Sequence, residues 1–355
     1  MKDILAHLAT GTPLSVQQAR HAFALIMDGA ADPAQMAAML TFMAVRHPTA
    51  DELVGAVTVM RERMVRVEVP AGKVAVDTCG TGGDHAGTFN VSTAAALVAA
   101  AAGRSRGLVV AKHGNRSVTS NSGSSQVLEV LGVNLSANPQ VLTHCMNEAG
   151  IAFLFAPNHH PALRNAAAVR AALGFRTILN LLGPLCNPAG VTRQVIGVFD
   201  RSLMPVMAQT LLRLGTEKAW VVNGEYRAAN GGPGFIDEIS PVGRTVVRTI
   251  DVARGARVHR PQAISSEGLL VSTGQWHHLH ADSPQASAQI ILAIFKGKHG
   301  LQGAPRDAVV LNAAAALTVG GVVRDMGEGL RLANEALDSG AALETLGRLV
   351  MASKA

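Results

Sequence analysis

A cluster of glycines is the first feature of the chain that could do chemistry. The sequence from Asp77 to Asp84 reads DTCGTGGD, with three glycines among four residues. Glycines let a backbone approach an anion closely and point several N–H groups at it. A helix expected to begin near Ser92 would add the positive end of its dipole, which attracts phosphate. The segment indicates a phosphate or diphosphate site; an ordinary glycine turn, with Asn90 or Ser92 as the helix cap, is the alternative.

A second polar loop follows the next apolar run of the sequence. Residues 112–124 read KHGNRSVTSNSGS, two cations among many hydroxyl and amide groups, directly after the apolar run 108–111. Ligands of open α/β sheets bind at the carboxyl ends of the strands, where this loop would begin. We expect the loop to hold an anion, and a solvated loop without a ligand is the other interpretation.

Three further features could bind a metal ion or an anion. The adjacent residues His159 and His160 could suggest a metal site, but neighbouring side chains rarely converge and no cysteine or carboxylate has a matching spacing. Arg170 lies in an alanine-rich stretch, and it either faces solvent or binds an anionic group such as a carboxylate. Asp237 and Glu238 are adjacent carboxylates of the kind that suit Mg²⁺ beside a substrate phosphate, with a solvated acidic turn as the alternative.

Composition narrows the classes of protein to consider. The chain has 355 residues, of which 48% are hydrophobic and 16% charged, and its formal net charge is +6. This composition excludes a disordered protein, and the length suits roughly two domains. The longest apolar run, 91–103, is too short to span a membrane, and we expect no signal peptide. The basic residues are scattered, and the three cysteines fit free thiols in the cytoplasm.

Helical signals fill the first 70 residues. Ser15 precedes an apolar-periodic stretch over 16–27, and Asp32-Pro33 begins a second helix that ends near 46–47. Thr49 and Glu52 form a capping box for a third helix that ends near residue 64. These signals predict a small N-terminal helical domain over residues 1–70.

The hydrophobic period changes at Lys73, where strands begin to alternate with helices. The predicted strands are 74–78, 108–111, 153–155, 195–198 and 219–222, with 245–249 as an edge strand. One predicted helix begins at Ser92. The other predicted helices cover 125–132, 204–214, 286–297, 307–320 and 326–350. This order predicts an α/β domain over 71–355, with a mostly parallel central sheet flanked by helices.

Together, and in this order, these segments resemble the anthranilate phosphoribosyltransferase family over nearly the whole chain. The motifs that carry the resemblance are GTGGD with NVST, KHGNR with its serine loop, HHPAL, RTILNLLGPLCNP and the late DE pair. The resemblance implies a helical domain, joined by a segment near 164–186, beside a larger α/β domain. This two-domain fold is shared with pyrimidine nucleoside phosphorylases. The resemblance also implies a homodimer joined through the helical domain.

The resemblance implies an activity in tryptophan biosynthesis. The phosphoribosyl group of 5-phosphoribosyl diphosphate (PRPP) would pass to the amine of anthranilate, with release of diphosphate and with two Mg²⁺ ions. The metal ligands would be Ser92, Asp237 and Glu238. Anthranilate would meet Gly80, Asn115 and Arg170. The positions assigned to PRPP are Gly80, Gly83, Asp84, Thr88, Asn90, Val91, Ser92, Thr93, Lys112, His113, Gly114, Asn115, Arg116, Ser117, Val118, Thr119, Ser120 and Ser124.

No dedicated general base is expected, because an aniline-type amine is neutral at pH 7 and already nucleophilic. Cleavage of the bond from ribose C1 to diphosphate develops negative charge on the leaving group. Mg²⁺, Lys112 and backbone N–H groups can stabilise that charge. Positioning and charge neutralisation are therefore expected to supply most of the rate.

Several positions differ from the usual pattern of the family. Asn121 stands where a lysine or arginine is frequent, Gln126 where an aspartate is frequent, and Asn223 where a histidine is common. Ala168 replaces a usual proline, and 226–233 is an insertion before the acidic pair. The change at Gln126 could alter placement near the phosphate loop, and the insertion could shift the metal-binding loop.

Two other functions stay open at this point. A pyrimidine nucleoside phosphorylase would share the fold and an anion site, although KHGNR is not its signature. A non-enzymatic, nucleic-acid-binding relative of the family is the second alternative, kept open by the basic net charge, although nucleic acid is not the expected partner.

Overall fold

The computed structural model describes residues 1–116, 122–228, 231–266, 269 and 275–355. The α-helices are α1 Lys2–Ala9, α2 Val16–Met27, α3 Pro33–Arg46, α4 Ala50–Arg63, α5 Val91–Gly103, α6 Ser124–Val130, α7 Pro139–Ala149, α8 Ala156–His159, α9 Ala167–Leu173, α10 Leu179–Leu182, α11 Met204–Arg213, α12 Pro284–Phe295, α13 Ala304–Gly320, α14 Met326–Asp338 and α15 Ala341–Ala352. The strands are β1 Val74–Val76, β2 Leu108–Gly114, β3 Ile151–Phe155, β4 Arg193–Gly197, β5 Lys218–Arg227, β6 Pro233–Ile236, β7 Arg244–Asp251 and β8 Gln262–Ser265.

The N-terminal helices begin at the caps that the sequence predicts. Ser15 and Gln18 form a capping box at the start of α2, and Asp32 accepts from two backbone N–H groups at the start of α3. Thr49 and Glu52 form a second capping box at the start of α4. Glu52 is fully buried and also pairs with Arg46, so one carboxylate both caps α4 and ties it to the end of α3.

The strands form two sheets that meet at Asp77. In the first sheet, β1, β2 and β3 run parallel in that order. In the second, β4 and β5 are parallel, while β7, β8 and the short β6 add antiparallel pairs. The N–H of Val195 donates to the carbonyl of Asp77 at 2.9 Å, so β4 continues the layer beside β1. The fold class predicted from the sequence, a helical domain plus an α/β domain with a parallel sheet flanked by helices, is confirmed.

Two local predictions need correction. The strand predicted at 245–249 is not an edge strand, because β7 lies between β5 and β8 and pairs with both. The helical stretch predicted over 326–350 divides into α14 and α15 at Gly340, whose φ of +81° favours glycine and ends the first helix. The sequence prediction also omitted α7, which caps on Asn138 and packs against β3.

The apolar core consists of two clusters. One surrounds β1, β2 and β3 together with α5 and α13. The other joins α1–α4 to residues 166–186 and to one face of β4 and β5. The N-terminal helices thus share an apolar cluster with residues 166–186, and the assignment of the segment near 164–186 to the helical domain stays a prediction. The division of the chain at residue 70 stays a prediction. Within the described residues, no helix combines the length and apolarity needed to cross a membrane.

Candidate functional site

Asp77 fixes the ends of two parallel strands at the edge where the polar loops begin. It follows β1 and is fully buried. Its Oδ1 accepts from the backbone N–H of His113 at 3.1 Å, and its Oδ2 accepts from Asn187 Nδ2 at 2.7 Å. Burial raises the pKa of this carboxyl to about 6, although the charge of Lys112 and these hydrogen bonds oppose the rise. Asp77 thereby holds the two loops in register.

The glycine loop after β1 lies against Asp237. Gly82 and Gly83 have φ values of +64° and +79°, a conformation that other residues rarely adopt. The N–H of Gly82 donates to Asp237 Oδ2 at 2.7 Å. A side chain at Gly80 would place its Cβ 2.6 Å from the same oxygen. The glycines are therefore needed both for the turn and for the close approach of the carboxylate.

Lys112, at the end of β2, is brought to the start of α5. Its side chain is only 3% exposed, and its Nζ lies 3.2 Å from Ser92 Oγ and 3.4 Å from Thr78 Oγ1. The backbone N–H of Ser92 donates to Glu238 Oε1 at 3.0 Å. A cation, a hydroxyl, a helix N-terminus and a carboxylate thus converge from three separate segments of the chain.

Three carboxylates crowd this point. Burial raises the pKa of Asp237 well above its usual value, and the negative charges of Asp84 and Glu238 raise it further. Burial also raises the pKa of Glu238 to about 7, while Lys112 opposes the rise. Because buried carboxylates without full charge compensation are costly, a bound divalent cation would stabilise the charged forms of Asp237 and Glu238.

The donor set fits a magnesium ion that shares its coordination with a substrate. Among the residues that the structure describes, no three His, Cys, Asp or Glu side chains form a metal centre by themselves. Mg²⁺ is commonly held by one or two carboxylates plus substrate phosphates and water. Asp237, Glu238 and the Ser92 hydroxyl supply oxygen donors of that kind.

The backbone of the acidic pair is seated on two glycines of neighbouring strands. A Cβ at Gly197 in β4 would overlap the carbonyl of Asp237, and a Cβ at Gly224 in β5 would lie 2.5 Å from the carbonyl oxygen of Glu238. The next residue, Ile239, donates its N–H to Asn312 Oδ1 at 3.0 Å. The pair is therefore fixed from both sides rather than carried on a solvated turn.

A cleft of about 290 Å³ extends from this cluster toward residues 156–184. We call its first part the charged end, defined by Asp84, Ser92, Lys112, Asp237 and Glu238. We call its other part the histidine end, defined by His113, Asn115, His160 and Arg170.

The histidine end contains imidazoles that stay neutral. The rings of His113 and His160 are 5.1 Å apart, and Nδ1 of His113 is 2.9 Å from the carbonyl oxygen of Gly183. Burial lowers the pKa of His113 to about 3 and that of His160 to about 4, and the neighbouring imidazoles contribute. Burial also lowers the pKa of Arg170, which lines the same cleft. This end combines neutral rings with one guanidinium.

Most residues named from the sequence line the cleft. They are Gly80, Gly83, Asp84, Thr88, Asn90, Val91, Ser92, Lys112, His113, Gly114, Asn115, Arg116, Ser124, Arg170, Asp237 and Glu238. Thr93 is an exception: its side chain is buried, because the next residue of a helix turns by about 100° from Ser92. Ser117, Val118, Thr119 and Ser120, like Asn121, lie outside the described residues.

Arg176 is a cleft residue that the site prediction omitted. Its guanidinium lies 3.9 Å from the ring centroid of Phe199, and a Cβ at Gly83 would lie 3.1 Å from its Nε. Its Nη2 is buried and, among the described residues, has no hydrogen-bond partner. Arg176 opens the RTILNLLGPLCNP motif, but only the fold brings it beside a loop more than 90 residues earlier.

The departures from the family pattern have simple structural roles where the structure describes them. Gln126 Oε1 accepts from the N–H of Gly123 at 3.1 Å, so the amide oxygen caps α6 as a carboxylate oxygen could. Asn223 bridges the carbonyl of Val198 and Arg201 Nε, at 2.9 and 3.2 Å. Ala168 is exposed on α9.

Comparison with known proteins relates both parts of the chain to one family. The helical bundle domain of the glycosyl transferase family matches residues 2–64, and the a/b domain of that family matches residues 72–343. An anthranilate phosphoribosyltransferase of Bradyrhizobium sp. strain BTAi1 is 43% identical over 353 residues, covering 99% of this chain and 98% of the relative. The corresponding protein of Rubrobacter xylanophilus is 44% identical, covering 100% and 98%.

Solved structures give the same relationship. Anthranilate phosphoribosyltransferase from Thermus thermophilus aligns with a TM-score of 0.86 at 36% identity, covering 99% of this chain and 100% of that one. The Saccharomyces cerevisiae enzyme in complex with PRPP and Mg aligns with a TM-score of 0.84 at 25% identity, covering 99% and 98%.

Proposed function

The chain belongs to the anthranilate phosphoribosyltransferase family, and from that premise we propose that it transfers the phosphoribosyl group of PRPP to the amine of anthranilate. Diphosphate is released, and the product serves tryptophan biosynthesis. The observation that carries the proposal is the convergence of Gly82, Lys112 and Asp237 on one cleft. A polyanion and its counter-cation have matching groups there, and Arg170 at the histidine end of the same cleft offers a guanidinium to a carboxylate.

In the proposed reaction, the charged end stabilises the leaving diphosphate. Lys112 is buried and points at the start of α5, so its charge acts in a medium of low dielectric constant. The N–H groups of the glycine loop and of the α5 N-terminus add fixed dipoles. The N–H of Gly82 already donates to a carboxylate oxygen, and a phosphate oxygen would replace that acceptor when PRPP binds.

We propose that two Mg²⁺ ions bind at the charged end. Their protein ligands would be Asp237, Glu238 and Ser92. When bound, Mg²⁺ supplies neutralising charge to the diphosphate oxygens. The buried carboxylates would then be fully ionised, because the cation opposes the pKa rise that burial causes. The yeast relative was crystallised with PRPP and Mg, which supports the same pairing here.

The histidine end would take anthranilate. Arg170 would pair with the carboxylate of anthranilate, and Asn115 would bind it beside Gly80. The neutral imidazoles of His113 and His160 would contact the uncharged part of the substrate without attracting a second anion. The neutral amine would form the bond to ribose C1 as the bond from C1 to the diphosphate oxygen breaks, and the acidic ammonium so formed would release its proton to the departing diphosphate or to water. Positioning would thus replace a dedicated general base.

The test follows the loss of anthranilate fluorescence on addition of PRPP and Mg²⁺. We expect turnover that requires all three components. Phosphorolysis of thymidine without anthranilate turnover would instead indicate a nucleoside phosphorylase. Steeply salt-dependent binding of DNA without turnover would indicate the non-enzymatic alternative.

We further propose a cytoplasmic homodimer joined through the helical domain. The three cysteines are free thiols, which suits a reducing compartment. Two apolar side chains of α3 face solvent, Phe42 at 40% and Val45 at 81% exposure. Such a patch is typical of an interface between subunits. Sedimentation analysis of the wild-type chain and of Val45→Glu tests this, with a monomeric variant as the expected result.

A further inference from the structure

The described residues on either side of 229–230 in the insertion belong to a hairpin of β5 and β6 that carries an aromatic stack. β5 and β6 pair antiparallel, with Tyr226 opposite Gly234. The Tyr226 ring covers that glycine so closely that a Cβ there would overlap it. The ring of Tyr226 also stacks on Trp276, with centroids 3.5 Å apart and planes 11° from parallel. The hairpin is thus attached to a segment much later in the chain.

The segment that carries Trp276 is in turn bonded to residues 87–89, which lie between the glycine loop and α5. The N–H of Phe89 donates to the carbonyl of Leu279 at 2.7 Å, and the N–H of Ala281 donates to the carbonyl of Gly87 at 3.0 Å. These bonds flank an antiparallel bridge between Thr88 and His280. Any displacement of Trp276 would therefore be passed to residues 87–89, just before the start of α5.

The other end of the hairpin leads directly to the acidic pair. β6 ends at Ile236, the residue before Asp237. The N–H of Asp237 also donates to Asp84 Oδ2 at 3.4 Å, so the acidic pair contacts the end of the glycine loop. The stack therefore closes a ring of contacts that runs from Asp237 through the hairpin, across Trp276 to residues 87–89, and back through Asp84 to Asp237.

We propose that the Tyr226–Trp276 stack is a positioning device that clamps residues 84–90 against the acidic pair and so pre-orders the charged end for PRPP and its metal. The inference rests on the proposed function, because it concerns the same reaction. Neither aromatic residue lines the cleft, so both act through the segments they join. A segment ordered before binding does not lose that conformational freedom when the ligand arrives, and the gain is seen as affinity.

Kinetics of stack variants give the first test. Tyr226→Leu and Trp276→Leu should each raise the KM for PRPP about tenfold, in the range of an aromatic pair plus loop ordering. The KM for anthranilate should stay within about twofold, because Arg170 and the histidine end lie beyond the clamp. Tyr226→Phe should restore the wild-type KM, since stacking needs the ring and not the hydroxyl.

Phe235→Leu is a matched control on the opposite face of the same hairpin. Phe235 pairs with Glu225 and contacts the guanidinium of Arg201, 5.1 Å from the ring centroid. This variant removes an aromatic ring from the hairpin but leaves the stack intact, so the KM for PRPP should not change. Equal rises for Phe235→Leu and Tyr226→Leu would overturn the proposal, as would equal rises in both substrates' KM values.

Fluorescence gives a second test that does not need turnover. The chain has two tryptophans and one tyrosine, so Trp220→Phe leaves Trp276 as the single indole reporter. Titration of this protein with PRPP and Mg²⁺, without anthranilate, should change the Trp276 emission, and Tyr226→Leu in the same background should weaken the apparent affinity about tenfold. A Trp276 emission that does not respond to PRPP would overturn the clamp. The Trp220→Phe protein keeps both Tyr226 and Trp276, so this measurement is available even if the leucine variants fail to fold.

The outcomes separate this inference from the proposed function. Wild-type turnover with unchanged KM values in the stack variants rejects the clamp alone. If the Trp220→Phe protein binds PRPP with a Trp276 response but the wild-type chain does not consume anthranilate, the transferase activity is rejected and the clamp is retained. Melting temperatures of all variants identify any loss of folding.

Discussion

The charged end and the histidine end share one cleft but differ in how burial is used. At the charged end, burial raises the pKa values of Asp237 and Glu238, which lie beside Lys112. At the histidine end, burial lowers the pKa values of His113 and His160 until both imidazoles are neutral. The charged end therefore holds acidic groups and a lysine that a bound cation and polyanion would compensate. The histidine end surrounds Arg170 with uncharged imidazoles.

This difference indicates how one cleft could distinguish two anionic substrates. A diphosphate carries several charges and needs a counter-cation, which only the charged end can hold. A monocarboxylate with an aromatic ring needs one guanidinium and otherwise uncharged neighbours. Desolvation thus raises the pKa of carboxyl groups at one end and lowers the pKa of imidazoles at the other. The two ends meet at the adjacent residues Lys112 and His113.

The largest effect is expected from the acidic pair. Asp237→Asn combined with Glu238→Gln removes the charges that would hold the cation, so activity should fall about 10³-fold. The Mg²⁺ concentration for half-maximal rate should rise strongly in the single variants. Initial rates over a magnesium titration measure both effects, and an unchanged titration curve would reject the assignment of the pair.

Removal of the arginine at the other end should have a selective effect. Arg170→Ala should raise the KM for anthranilate about 10- to 100-fold, since a hydrogen bond to a charged group contributes about 1.5–3 kcal/mol. The KM for PRPP should stay nearly constant. Arg164→Ala, which removes an exposed arginine shortly before α9, is the control. Equal losses for both substrates would contradict the division of the cleft.

The neutral histidines predict a pH dependence of stability. Their folded-state pKa values lie below the ordinary value near 6.5, so the unfolded chain binds more protons than the folded chain as pH falls below 6.5. The contribution of these two histidines to the free energy of unfolding is therefore fully present above pH 6.5 and is lost as pH falls toward their folded-state pKa values. One such histidine contributes a loss of about 2 kcal/mol between pH 7 and pH 5.

His160→Gln should reduce the fall in the free energy of unfolding over that pH range, as measured by urea titration at each pH. The exposed His144→Gln should leave the fall unchanged. If both variants respond alike, the histidine end is not kept neutral by burial. Above pH 6, kcat/KM should show no inflection that either substitution removes.

The smallest effect is expected at Gln126. Gln126→Asp keeps an oxygen that can accept from the N–H of Gly123, so the cap of α6 is retained. We expect kcat/KM for PRPP to change by less than about threefold, because this residue caps a helix and does not carry charge toward the cleft. A large gain in affinity would mean that the missing aspartate matters for more than the cap.

The sequence alone predicts the charged end well for a physical reason. Parallel strands place their carboxyl ends at one edge, so the loops after β1 and β2 had to meet near Lys112. The acidic pair is a weaker prediction from residues alone, since adjacent carboxylates also suit a solvated turn. Its burial depends on β6, and the order of β5, β6 and β7 could not be read from apolar runs.

The histidine end was harder to predict because its parts are distant in sequence. His160 was considered only as a metal ligand, and Arg176 was not assigned at all. Both meet the cleft through packing of residues 156–184 on the sheet, which local periodicity does not report. The sequence left two interpretations of Arg170, a side chain that faces solvent or one that binds an anion. Its partial burial in the cleft favours the second.

Gly197 and Gly224 suggest where the evolution of this enzyme is most constrained. Neither offers a functional group, and an inventory of ligand contacts would omit both. Yet alanine at either position would push the backbone of Asp237 or Glu238 out of place. The backbone of the proposed metal ligands thus leaves no room for a side chain beneath it, and any engineered change in metal preference would have to keep glycine at both positions.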